Sequence, residues 1–138
     1  MIVRNFLHAD SRVEQSHRGK GRVKNVKLFS KEDFETPLKF LYYTEIEPGC
    51  SIGVHKHGED EEIYVILEGG GLMTVNGETR AVQAGDVILN KPHWSHGLEN
   101  NSDVVLKILV FEADKVTGAD TVSGNSLGRG FRHDKNIE

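Results

Sequence analysis

The chain has 138 residues, enough for one domain with its own core and too few for two. Twenty-one acidic against seventeen basic side chains leave a net charge of −4, and the chain is 37% hydrophobic and 28% charged. That balance excludes a dedicated nucleic-acid binder, which carries a basic excess, and an intrinsically disordered chain; the single cysteine, Cys50, excludes an internal disulfide framework and fits a reducing compartment.

In chain order, Met1 to His8 holds no apolar run of signal-peptide length. Elsewhere the best apolar run, Val104 to Phe111, is short and broken by Lys107, so the expectation is a cytoplasmic protein with no membrane partner. Seven basic residues (Arg12, Arg18, Lys20, Arg22, Lys24, Lys27, Lys31) and one acid, Glu14, lie between Arg12 and Lys31. They read as a solvated edge strand whose lysines discourage edge-to-edge pairing, in preference to an anion site. Ser30-Lys31-Glu32-Asp33 begins like a helix cap but meets Pro37 after no more than a turn.

From Leu38 the pattern is β. Leu38–Ile46 is aromatic and β-branched and stops at Pro48-Gly49; Ile63–Leu67 is closed by Gly69-Gly70-Gly71. Leu72–Val75 and Thr79–Val82 flank Asn76-Gly77, the strongest short hairpin signal. Asp86–Leu89 follows Gly85, and Val104–Phe111 is the last strand. Many short strands with Gly-rich turns and no helical period predict an all-β sandwich or barrel. The organisation expected is an N-terminal segment with edge strands over 1–37, a barrel core over 38–112, and a Gly- and Ser-rich tail over 113–138 that packs on the barrel or on a neighbouring subunit.

Four of the seven histidines, His55, His57, His93 and His96, fall within this core. On a strand, His55 and His57 share a face about 6.5–7 Å apart, close enough to converge on one cation. The turn Gly58-Glu59-Asp60-Glu61 follows, and a carboxylate at the start of the next strand would sit beside the pair across a hairpin. His96, placed just before another strand, would add a third nitrogen from across the barrel. Three neutral imidazoles and one carboxylate suit Mn, Fe, Ni, Zn, Co or Cu and not Ca or Mg, which prefer all-oxygen shells.

In these residues the chain resembles the cupins. Gly49, His55-x-His57, four residues, Glu62 and then Gly69 follow the family's first motif. Gly85, His96 and Asn100 keep the spacing of the second, but Lys91 replaces its usual Pro, His93 replaces its usual Gly, and Pro92 stands one place late. The resemblance implies a double-stranded β-helix, the cupin jelly-roll barrel, with a divalent transition metal held by His55, His57, Glu62 and His96. It is similar to compact single-domain bacterial cupins labelled oxalate-decarboxylase-like, and it implies a homodimer paired through sheet edges. Adjacent strand residues face opposite ways, so Glu62 looks inward with Tyr64 and Ile66 while Glu61 is left exposed or in the turn.

Fold alone does not give function. Oxalate decarboxylase or oxidase chemistry would want an arginine clamp, yet no arginine occurs between Arg22 and Arg80, and Glu59-Asp60-Glu61 would oppose a dianion if it lines the entrance; an arginine from elsewhere, such as Arg22 or Arg129, could still reach in. The reading preferred is a metal-dependent enzyme acting on a small neutral or singly charged oxygenated substrate. The alternative is a non-catalytic module that binds a sugar or other small-molecule ligand. Tyr64 is a proton donor or core. His93 is a general acid or base on a turn at the barrel rim, or plain solvated turn. Trp94 stacks on a ligand or anchors a dimer interface.

Overall fold

A computed structural model describes residues 1–116. The expected tail contact therefore lies almost wholly outside the described residues, as does Arg129. The strands are β1 (Arg12–Glu14), β2 (Val23–Ser30), β3 (Leu38–Ile46), β4 (Ser51–Lys56), β5 (Glu61–Glu68), β6 (Gly70–Val75), β7 (Glu78–Gln83), β8 (Val87–Asn90), β9 (Ser95–Glu99) and β10 (Leu106–Ala113). A single 3-10 turn, Lys31–Asp33, is the only helical element among the described residues. Two antiparallel sheets face each other: six strands in the order β1-β2-β3-β10-β5-β8, and four in the order β4-β9-β6-β7.

Alternation along the strands explains how they pack. In β5 and β10 every second side chain is buried, from Glu62 through Tyr64 to Ile66 and from Leu106 through Ile108 and Val110 to Glu112. Those apolar side chains meet Ile52, Met73, Val82 and Leu98 of the facing sheet, which makes the barrel interior the main core. A second, smaller cluster of Val26, Leu28 and Tyr43 lies apart from it, with Phe6 of the N-terminal segment stacked on Tyr43 at 4.1 Å between ring centroids. Asn76 and Gly77, both at positive φ (52° and 84°), turn β6 into β7.

Four expectations need correction. The basic segment is not one edge strand: β1 forms the edge, while β2 lies inside the sheet with Val23 and Val26 buried and Lys24 and Lys27 exposed. The last strand is displaced to Leu106–Ala113, because the Asn100 amide takes the Val104 carbonyl into the preceding turn at 2.8 Å. β4 and β5 belong to different sheets, so Glu62 does not face the histidines across a hairpin but from the opposite wall. His96 does not precede a strand or come from across the barrel. It lies within β9 and stands directly opposite His55 in the β4–β9 ladder.

Candidate metal centre

Three strands from both walls deliver the four residues. His55 is the penultimate residue of β4 and His57 follows its end; a register irregularity between Ile52 and His55 re-aims this end of the strand. His96 in β9 is fully buried, and Glu62, second in β5, is 6% exposed. His96 Nε2 lies 2.8 Å and His57 Nε2 3.2 Å from Glu62 Oε1, and the two Nε2 atoms are 3.3 Å apart. The His55 ring centroid is 5.0 Å from that of His57 and 4.5 Å from that of His96. One donor atom from each of the four residues lies within 4.8 Å of all the others.

The donor set fits a transition metal. His55 Nδ1 is engaged by the Gly53 carbonyl at 2.8 Å, which makes Nδ1 the protonated nitrogen and leaves the Nε2 lone pair free for a cation. Burial pushes His55 down to about 4, against the pull of that carbonyl, so the ring is neutral near pH 7. Burial works against ionising Glu62, but hydrogen bonds from His57 and His96 outweigh it and hold the carboxyl down at about 2. The same carboxylate raises His57 above its ordinary value. His96 Nδ1 and both polar side-chain atoms of Asn90, which stands opposite Glu62 in the β5–β8 ladder, are buried without partners. Such atoms cost about 1–3 kcal/mol each, a cost that packing alone does not explain.

The comparisons with known proteins point the same way. A family described as cupin domain matches residues 42–112. The chain belongs to the cupins. Over 109 residues it is 35% identical to an oxalate-binding protein of Thermotoga maritima, covering 79% of this chain and 90% of that one. Over 73 residues it is 46% identical to an uncharacterized protein of Methanocaldococcus jannaschii, covering 53% of this chain and 58% of the other. A crystal structure from Thermotoga maritima, titled a predicted oxalate decarboxylase, superposes with a TM-score of 0.79 at 32% identity, covering 83% of this chain and all of that one.

In this cupin a cavity of about 300 Å³ reaches the cluster at His55 and Glu62, with Tyr64, Phe40, Tyr42, Ile52 and Val110 also in its lining. Among the described residues neither lysine nor arginine lines it, and Arg22 is exposed. Tyr64 is buried, its ring edge-on to His96 at 5.4 Å; burial raises its hydroxyl, so it stays protonated. His93 lies outside the cavity lining on a left-handed turn (φ 67°), 60% exposed, with Nε2 3.6 Å from Glu59 Oε1. Glu61 is exposed, and Trp94, 36% exposed, lies outside the cavity lining.

Two groups near the cluster escape a sequence reading. His57 Nδ1 lies 3.3 Å from both Asp60 Oδ1 and Glu112 Oε1, and Lys39 Nζ neutralises these acids at 3.1 and 3.2 Å. Asp60 thus turns inward onto Lys39 and is not free negative charge at an entrance. Burial, with Asp60 and Glu62 close by, pushes Glu112 up to about 8. The second group is His17, whose ring lies flat on His55. Period-2 alternation from Val110 to Glu112 could have flagged the buried glutamate; nothing local flags His17.

Proposed function

We propose that this cupin is a metal-dependent enzyme for a small, neutral or singly charged oxygenated metabolite, with a divalent transition metal held by His55, His57, Glu62 and His96. One observation carries the reading: four donor atoms converge, and two of their residues, His55 and Glu62, line a cavity of about 300 Å³ that offers hydrogen-bonding side chains and apolar walls but, among the described residues, no Lys or Arg. When bound, the metal supplies Lewis-acid or oxygen chemistry. The chain's own residues do the rest. Asp60 and Glu112 hold His57 through Nδ1, keeping Nε2 turned toward the cluster. Tyr64, protonated at the cavity wall, donates a hydrogen bond and does not act as a base. Phe40, Tyr42, Ile52 and Val110 exclude water from one side of the ligand. His93, if it acts as acid or base, does so from the rim. Oxalate is the less favoured substrate, since among the described residues the lining offers a dianion Glu14 and no guanidinium to pair it.

A second reading, a binding module without chemistry, is favoured by the name of the Thermotoga maritima relative, an oxalate-binding protein. Anaerobic reconstitution with each metal, followed by a metabolite screen that records oxygen uptake and products, separates the two. Metal-dependent turnover of an uncharged or monoanionic compound supports the enzyme. Tight binding without conversion supports the module, and metal-dependent conversion of oxalate would overturn the substrate class. A cytoplasmic homodimer belongs to the same proposal, and light scattering checks its pairing.

A further inference from the structure

Residues 15–20 run along the free edge of β4 as a tight strap. Ser16 forms a parallel bridge with Ile52, the Gly53 amide donates to the Ser16 carbonyl at 3.0 Å, and the Ser51 amide donates to the Lys20 carbonyl at 2.9 Å. This close pairing needs two glycines, since a Cβ on Gly19 would strike the Ser51 carbonyl oxygen and one on Gly53 that of His17. It also holds two non-glycine residues, His17 and Arg18, at left-handed φ of 50° and 59°, a conformation that costs free energy and clusters at functional sites. This path brings the His17 ring onto the His55 ring, at 3.4 Å between centroids and 8° between planes. His17 also lines the cavity beside Glu62.

We propose that His17 is a positioning residue of the metal centre, supplied by a segment outside the matched cupin domain, and that its ring fixes the plane of the His55 imidazole. The proposal rests on the reading that the four-residue cluster holds a metal. The Nδ1 hydrogen bond to Gly53 sets the direction in which His55 points but leaves the ring free to tilt about that bond; a flat partner on its face removes the tilt. His17 is not a fifth ligand here, because a face-to-face stack carries its nitrogens in a parallel plane, and it is absent from the set of converging donors.

The test uses the full chain as wild type, His17→Gly and His17→Phe. Glycine removes the ring and suits the left-handed backbone, while phenylalanine keeps a stacking face without nitrogen. Three quantities are read: Co(II) affinity, the Co(II) visible spectrum, and the melting temperature of the metal-free protein. In His17→Gly, Co(II) affinity should fall by roughly three- to tenfold and the ligand-field bands should shift, with the metal-free melting temperature little changed. His17→Phe should recover affinity and spectrum. Wild-type affinity and spectrum in His17→Gly would overturn the proposal, as would a folded His17→Phe as defective as His17→Gly, which would make the nitrogen the essential part. A wild type that takes up no Co(II) would sink the metal reading itself, an outcome distinct from failure of the variants alone.

Discussion

Glu62 is buried among His57, His96 and Asn90, whereas its neighbour Glu61 is exposed. Removing the Glu62 carboxylate takes away the only negative charge in the donor set and leaves three imidazoles facing one another. Glu62→Ala should therefore lose bound metal by at least about tenfold in affinity, while Glu61→Ala keeps wild-type content; metal analysis of the two purified variants decides. Equal loss in both would leave the assignment without support. His93 makes a complementary case. It occupies a left-handed turn that glycine fills more easily, and among the described residues its imidazole reaches Glu59. His93→Gly should keep full metal occupancy and change stability by less than about 1 kcal/mol. If turnover then falls with the metal in place, the rim imidazole serves the reaction; loss of the metal would make it a ligand after all.

The N-terminal segment is tied down by a short list of contacts, which makes its attachment sensitive to acid. Arg4 donates to the Leu28 carbonyl at 2.7 Å and grips Asp33 through both its terminal nitrogens at 2.7 and 3.1 Å. The guanidinium holds the Asp33 carboxyl down at about 2. A depressed acid contributes stability that is fully present above its unfolded value near 4 and is lost as pH falls through the folded value. The difference in urea midpoint between wild type and Asp33→Asn should thus be constant at neutral pH and shrink between about pH 4 and 2. A difference that survives unchanged to pH 2 would show that the charge is not its source. Asn100 ties a different pair of elements. Its amide nitrogen donates to the carbonyls of Ile46 and Val104, both at 2.8 Å, and its oxygen accepts from the Ser102 amide and hydroxyl. Asn100→Ala leaves buried polar groups unpaired at the junction of β3, β9 and β10 and should cost about 2–4 kcal/mol in urea denaturation, against under about 1 for Ser102→Ala. These elements were unequally legible beforehand. The β6–β7 hairpin could be read from Asn76-Gly77, and β3 from its aromatic and β-branched run. β9 could not: Ser95-His96-Gly97-Leu98-Glu99 contains no β-branched residue and is extended because β4 and β6 pair with it on both sides. His17 stayed invisible for a related reason, since only the pairing of the strap along the edge of β4 brings it to His55.

The two sheets touch mainly through apolar side chains, and the candidate metal centre is where they meet through polar ones. His55 and His96 belong to the four-stranded sheet and Glu62 to the six-stranded one, so an ion held by all of them cross-links the two walls. A group that binds the folded chain and not the unfolded one stabilises it by RT ln(1 + [L]/Kd), about 2.7 kcal/mol at a hundredfold excess over Kd. For a domain of this length that corresponds to a rise in melting temperature on the order of 10 °C. The metal-free protein stripped with chelator should gain that increment on addition of Mn, Fe, Co, Ni, Cu or Zn, and the gain should grow with the logarithm of metal concentration. Mg and Ca, which prefer all-oxygen shells, should give little of it. Glu62→Ala should melt at the same temperature with and without metal. If no transition metal shifts the wild-type transition, or if Glu62→Ala responds as strongly as wild type, the four converging donors are a structural feature of the barrel and not its metal centre.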